Sequence, residues 1–454
     1  MFFLILAVFV LGYVFIALEH NVHVDKAASA LVTGTLCWAL FVLGTHDVPA
    51  HLMEAYRAFG GEGHGGLAMF FEHRLLHHME EISSILFFLM GAMTIVELVD
   101  AHEGFRVITD RIRTTNKVKM LWIVCILTFF FSALLDNLTT SIVMVSLLRK
   151  LIADRPTRWL FAGMVVISAN SGGAWSPIGD VTTTMLWIGG QLGTGVIVSH
   201  LIVPSIVSMV VPLAVLSFRL NGDVERPQAE QDEEWDPTTP FERNLVFATG
   251  VAGLLFVPVF KTVTHLPPFM GMMMSLGLLW ILTELLHRSK NQEHKEHLTV
   301  VGVLRHIDSA SVLFFLGILL AVGALQEAGH LVLAADWLRV SLNDVYLIDL
   351  AIGLLSAIVD NVPLVAASMG MYDVIQPDQV MNAWDAMFVK DGIFWQFLAY
   401  CAGTGGSALI IGSAAGVAVM GLERIDFVWY LKRISLLAIL GYFAGAATYF
   451  FMFA

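Results

Sequence analysis

Two acid-amide pairs lie inside apolar runs: Asp136-Asn137 in SALLDNLTTSIVM and Asp360-Asn361 in SAIVDNVPLVAA. A third acid, Asp180, follows the first pair in NSGGAWSPIGDVTTTM, and Glu97 stands nearer the end of an apolar stretch. No Lys or Arg lies in the corresponding cores. A carboxylate deep in an apolar medium is costly unless compensated, so a group at that depth must hold a cation or a proton, whereas Glu97 reads as an end-of-helix residue with a coupling role left open. A group that can hold either, but not both, couples the movements of the two.

Sodium prefers hard oxygen ligands. Around the acids the sequence offers the amide oxygens of Asn137, Asn170 and Asn361 and the hydroxyls of Thr139, Thr140, Ser171, Ser176, Thr404 and Ser407. Glycine breaks free further carbonyls, and helix C-terminal ends add negative potential. The expected cation and proton ligands are these residues with Asp136, Asp180 and Asp360, the sodium contacts centring on Asp136, Asn137, Asp360 and Asn361. A single intramembrane Asp can instead be a structural hydrogen-bonding group. Two Asp-Asn pairs at related positions argue against that, whereas Asp180, whose counterpart is Ser413, lacks this support.

Long apolar elements must position these residues. Of 454 residues 57% are hydrophobic and 14% charged, against roughly 25% charged in a soluble domain, so the solvent for most of the chain is lipid. Full-length membrane helices are expected at 27–44, 83–99, 195–218, 244–260, 267–286, 308–325 and 434–453, with 1–18 kept as a further membrane helix because it lacks the basic start and small-residue cleavage site of a signal peptide. The net charge of −13 argues against nucleic acid. Cys37, Cys125 and Cys401 lie in apolar stretches without CxxC spacing and read as packing residues.

The stretches 120–149 and 345–373 behave differently. In each, a charge sits mid-run and the arms read as too short to cross. Arg106, Arg111, Arg113, Lys117 and Lys119 precede the first, and Arg149, Lys150, Arg155 and Arg158 follow it. Basic loops stay cytoplasmic, so this stretch is expected to be a re-entrant hairpin entering from the cytoplasm with Asp136-Asn137 at its tip. The second has acidic flanks at Asp336, Asp344, Asp373, Asp378 and Asp385, and is expected to enter from outside.

After each hairpin comes an apolar stretch interrupted by glycine, 159–188 and 397–421. Gly172, Gly173 and Gly179 match Gly405, Gly406 and Gly412 at an offset of 233, the Asp-Asn pairs match at 224, and FFLMG at 87–91 matches FFLG at 314–317. These blocks read as an internal repeat. The positive loops fall on one side only if the repeats are inverted, and paired Gly-interrupted segments mark the midplane binding site of secondary transporters. The fold expected is an all-α polytopic membrane protein, an inverted-repeat transporter with two re-entrant hairpins and two broken transmembrane helices. Its parts are N-terminal helices with an extracytoplasmic His-containing loop (1–82), a first transport repeat (83–218), an acidic cytoplasmic linker (219–243), connecting helices with a basic loop (244–306) and a second, inverted repeat (307–454).

The region Thr45 to Ile82, with His46, His51, His64, His73, His77 and His78, reads as a solvated extramembrane loop, although its histidines could sense pH or bind metal. GTGG at 403–406 is no phosphate loop, since no Lys-Ser/Thr follows it.

SALLDNLTTSIVM, NSGGAWSPIGDVTTTM, SAIVDNVPLVAA and AGTGGSALIIGSAAGVAVMG resemble the signature segments of NhaD-type sodium/proton antiporters, in the ion transporter superfamily that also holds sodium-coupled dicarboxylate symporters. The resemblance covers about residues 70–454. It implies scaffold and transport parts, an elevator-like movement, a homodimer in a bacterial cytoplasmic membrane, and transported sodium, with lithium as a second cation, and protons instead of a resident cofactor. By this resemblance Asp136, Asn137, Thr140, Asn170, Ser171 and Ser176 form one half-site and Asp360, Asn361, Thr404 and Ser407 the other. The dicarboxylate relatives carry Ser-Asn-Thr at the tips, and Asp in place of that serine favours cation exchange over anion transport. An anion or arsenite-type carrier stays as an alternative, and an intramembrane aspartyl protease, whose two carboxylates would share a proton, as a remote one.

Overall fold

The computed structural model describes residues 2–17, 19–45, 48–49, 52–60, 66–106, 112, 114–227, 238–288 and 297–453. Among them the regular structure is helical, with two isolated β-bridges and no strand. Among the described residues eight helices are long and apolar enough to cross a membrane: Lys26–Gly44, Gly66–Ala101, Lys117–Leu135, Thr194–Ser217, Pro240–Thr264, Pro268–Leu286, Ser309–Glu327 and Ser435–Phe453. The shortest have 19 residues, which at 1.5 Å per residue rise about 28 Å, close to the ~30 Å of bilayer hydrocarbon. The protein is a multi-pass integral membrane protein. Phe2–Ala17, at 16 residues, is shorter than all eight.

The chain forms two compact units. One comprises Met1–Phe87, Asp308–Ile348 and Val362–Val389, the other Phe88–Ile307, Asp349–Asn361 and Lys390–Ala454. In the first, Lys26–Gly44 packs on Ser309–Glu327. A Cβ on Gly34 would run into the Gly317 carbonyl and one on Gly317 into the Ala30 backbone, so these helices touch main chain to main chain. Such close approach supplies the dispersion that drives helix association where lipid is as apolar as the side chains. Trp38 Nε1 donates to the Leu320 carbonyl at 2.9 Å.

The same unit corrects the loop expected over 45–82. Gly66–Ala101 is one helix of 36 residues, so His73, His77 and His78 are helical. The physical reason is Glu327, fully buried, whose carboxylate accepts from Arg74 Nε at 3.0 Å and Nη2 at 2.6 Å and lies 2.8 Å from His78 Nε2. A partner some 250 positions away turns an apparently solvated segment into a buried polar face. His46, His51 and His64 lie outside the described residues.

In the second unit, Lys117–Leu135 is followed at once by Asp136 and by Asn137–Leu151. Here too the structure differs from expectation, since the first arm is itself long enough to cross. The helix starts at Lys117, where Asn116 accepts from Lys119 N at 3.0 Å, and lysine stems can lie along apolar surface while their ammonium groups stay in water. Both ends of this stretch are tied to one short segment. Lys117 N donates to the Gly222 carbonyl at 3.1 Å and Ala153 N to the Glu225 carbonyl at 2.9 Å. Three residues span at most about 11 Å, so the chain leaves this helix pair close to where it entered. Residues 219–227 of the expected linker thus bind the helix ends.

Two interrupted helices follow. Arg155–Ala174 stops, runs irregularly through 175–180 and resumes as Val181–Ile188. Ile393–Gly405 passes through a 3-10 turn at Gly406–Ala408 and resumes as Ala414–Glu423. Residues 161–174 and 394–408 are buried on every side, which places both breaks in the unit's core. Asp154, in the exposed loop before the first, accepts from Thr157, which holds its carboxyl below the usual range. Glu423, at the end of the second, takes Arg149 Nε at 2.7 Å and Arg158 Nε at 2.8 Å. Thr194–Ser217 packs on Ser435–Phe453, and Cys37, Cys125 and Cys401 are buried free thiols.

Candidate functional site

The site is built where the two helix breaks meet. Asp136 joins Lys117–Leu135 to Asn137–Leu151 with φ 84° and ψ 159°, a conformation other residues than glycine rarely hold except where a site demands it. Its carboxylate accepts from Thr139 N and Thr139 Oγ1, each at 2.8 Å, so it caps the following helix and Thr139 is its partner.

The next residue turns inward. Asn137 Nδ2 donates to Asn170 Oδ1 at 3.1 Å and to Asp180 Oδ2 at 3.3 Å. Asn170 Nδ2 donates to Ser407 Oγ and Ser413 Oγ, each at 2.9 Å. These five residues are buried, and together they link a helix N-terminus, both sides of the first break and both sides of the second. Asp180 also caps Val181–Ile188 by accepting from Thr182 N at 3.1 Å, as Ser413 caps Ala414–Glu423 by accepting from Gly416 N at 3.2 Å.

The other expected ligands divide. Ser171 Oγ meets Ser208 Oγ at 3.2 Å, Ser176 Oγ donates to the Ala133 carbonyl at 2.5 Å and Thr404 Oγ1 to the Tyr400 carbonyl at 2.6 Å. Thr140 Oγ1 is buried without a hydrogen-bond partner among the described residues. Asn361 is buried beside the half-buried Asp360. No three His, Cys, Asp or Glu side chains among the described residues are grouped to hold a metal ion. An ion here would therefore need mixed ligands: single carboxylates with amide, hydroxyl and carbonyl oxygens.

The same contacts occur twice. A Cβ on Gly172 would strike the Phe129 backbone and one on Gly405 the Gly353 backbone. Gly179 lies against Ser132 and Ala133, and Gly412 against Ala357. Ser132 Oγ donates to the Ala169 carbonyl at 2.5 Å, and Ser356 Oγ reaches the Ala402 carbonyl at 3.4 Å. Each partner on the hairpin stretches is displaced by 224 and each partner on the interrupted helices by 233, the two offsets already present in the sequence.

Three residues escaped the sequence reading. Ser413 was passed over as the neutral counterpart of Asp180, yet it joins the network directly. Asp349 and Glu327 are fully buried acids. A charge interrupting YLIDLA, or closing the run FFLGILLAVGALQE, was the available signal for each.

The profile of the citrate transporter family matches residues 13–389. Sodium/proton antiporter 1 of Arabidopsis thaliana is 46% identical over 97% of this chain and 71% of its own length, and sodium/proton antiporter 2 of the same plant 43% over 97% of each. The Na(+)/H(+) antiporter NhaD of Alkalimonas amylolytica is 30% identical over 99% of this chain and 90% of its own. With matches of this extent around an oxygen-lined pair of helix breaks, the chain belongs to the citrate transporter family and to the NhaD-type sodium/proton antiporters.

Proposed function

We propose that the protein exchanges sodium for protons, the two ions alternating on Asp136, Asp180 and Asp360. The observation that carries this reading is the bonding of Asn170 between Asn137, which also holds Asp180, and the serines of the opposite break. Asn170 spends both amide hydrogens on serines, leaving its carbonyl oxygen and the Asp180 carboxylate facing the same donor, Asn137. A cation arriving at Asp180 competes with a neutral N–H, an exchange that costs little. A proton on the same carboxylate removes the ligand.

The re-entrant form of 117–153 is supported by the meeting of its ends at Gly222 and Glu225. Recurrence of the glycine contacts at offsets of 224 and 233 supports two related repeats, 83–218 and 307–454, and the opposite charge of the hairpin flanks supports their inversion. We place the protein as a homodimer in a bacterial cytoplasmic membrane, with lithium as a second cation. The bacterial NhaD relatives support the location, and the Arabidopsis relatives make a plant membrane the competing one.

The citrate transporter profile favours an anion reading. The carboxylates of Asp136, Asp180 and Asp360 would repel such a substrate. Purified protein in proteoliposomes tests this: sodium, or lithium, added without any carboxylic acid should dissipate an imposed proton gradient. Citrate uptake together with no sodium-dependent proton movement would overturn the exchange reading.

A further inference from the structure

The resumed half of the first interrupted helix, Val181–Ile188, is eight residues long and carries Asp180 at its start. A helix of this length is marginal on its own, so its place is set by what holds its two ends. At the start, Asp180 accepts from Thr182 N at 3.1 Å, Thr183 Oγ1 donates to the Ala174 carbonyl at 3.3 Å and Thr184 Oγ1 to the Pro177 carbonyl at 2.9 Å. At the far end, the carbonyls of the last turn need partners from beyond the helix. The Met185 carbonyl takes Gly189 N at 2.8 Å, the Leu186 carbonyl takes Leu192 N at 3.2 Å, and the Trp187 carbonyl takes the Lys261 ammonium at 2.5 Å. The same ammonium stands 4.5 Å from the centre of the buried Trp187 ring, against which the Phe88 ring packs edge-on at 6.2 Å.

Lys261 comes from outside both expected repeats. It lies in the last turn of Pro240–Thr264, one of the connecting helices, whose end is fixed by His265 in the left-handed conformation with its N–H on the Lys261 carbonyl at 2.9 Å. An ammonium at a helix C-terminus complements the negative end of the helix dipole, and the aromatic face beside it adds a second attraction. The resumed half of the second interrupted helix, Ala414–Glu423, ends in a similar way. Its Leu422 carbonyl takes Arg149 Nη2 and its Glu423 carbonyl takes Trp159 Nε1 at 3.0 Å. Each resumed half-helix thus has a residue of the oxygen network at its start, Asp180 or Ser413, and a basic side chain on its last carbonyls. Eight residues rise about 12 Å, so Lys261 acts on Asp180 through the helix and not by contact.

We infer that Lys261 is a positioning residue for the cation site: by holding the far end of Val181–Ile188 it keeps the Asp180 carboxylate in register with Asn137, 3.3 Å away. This rests on the exchange reading in its transport arm alone. The direction of the effect separates two roles. A positive charge by itself repels sodium, so loss of a purely electrostatic Lys261 would tighten sodium binding, whereas loss of a helix anchor loosens it. Lys261→Met keeps the apolar stem without the ammonium, and Lys261→Arg restores a cation able to donate to the carbonyl and lie on the ring. In proteoliposomes, Lys261→Met should weaken apparent sodium affinity by about tenfold, the scale of a cation lost from a partly buried helix C-terminus, with maximal flux less affected. Lys261→Arg should recover most of that affinity. Hydrogen exchange read by mass spectrometry should quicken over residues 181–192 in Lys261→Met and slow again in Lys261→Arg. Sodium affinity that is unchanged or tighter in folded Lys261→Met, a loss that Lys261→Arg does not recover, or hydrogen exchange equal to the parent's overturns the proposal. Should Lys261→Met not fold, Lys261→Gln, which keeps a neutral donor, is read in the same two assays. If the parent itself shows no sodium-driven proton movement, the exchange reading falls instead, and the hydrogen-exchange arm still decides whether Lys261 holds the helix.

Discussion

Asn137 and Asp180, 43 positions apart, are joined by an Nδ2-to-Oδ2 hydrogen bond of 3.3 Å. The bond sets the carboxylate of one helix break against the amide of a helix start, so that a neutral side-chain donor faces Asp180.

Replacing that carboxylate tests its role directly. Asp180→Asn keeps size and capping geometry but removes the charge, and should lower sodium-dependent proton flux by more than about tenfold, the effect of ~1.4 kcal/mol of lost ion binding. Asp136→Asn and Asp360→Asn should lose flux as well. Normal exchange in all three, with folded protein confirmed by size-exclusion chromatography, would remove the carboxylates from the mechanism.

Asn170→Ala removes the amide donor that Ser407 and Ser413 share and one of the two acceptors of Asn137, whose bond to Asp180 stays. We expect weaker apparent sodium affinity together with a loss of stability of about 1–3 kcal/mol for each buried group left unsatisfied. Ser413→Ala, which removes a single acceptor, should have the smaller effect in both flux and thermal melting assays.

If sodium and protons share carboxylates, lowering pH must weaken apparent sodium affinity, because the protonated acid is a poor ligand. Activity should then rise from acidic to alkaline pH. Flux titrations at several fixed pH values check this, and a sodium affinity that stays constant while exchange continues would separate the two ions' sites.

Removing Glu327 leaves Arg74 and His78 without their buried acceptor. Glu327→Ala should destabilise the protein by about 3–5 kcal/mol, as expected for a buried pair that loses one partner. A melting temperature equal to the parent's would show that Arg74 finds water instead.

The acid-amide pairs and the glycine breaks were legible because they interrupt an otherwise apolar pattern, and both interrupted helices lie where SGGAWSPIGD and GTGGSALIIGS place them. Convergence was harder to read. Ser413 matters through a bond to Asn170 that no local pattern encodes. The helical start of Gly66–Ala101 was hidden because its histidines and Arg74 look solvated until Glu327 is placed beside them. The first arm of the Asp136 stretch looked short because lysines were counted as loop.

Glu423 has a consequence for how the polypeptide could be divided. It receives Arg149 and Arg158 across more than 260 positions, and Asn170 reaches Ser407 and Ser413 across a similar distance. A gene split between residues 227 and 238 would place both arginines and the asparagine on one product and the carboxylate and serines on the other. Neither product could close its own arginine–glutamate clasp or complete its own oxygen cluster, so each alone would strand buried polar groups. Co-expression would reunite them, making the two products obligate complements.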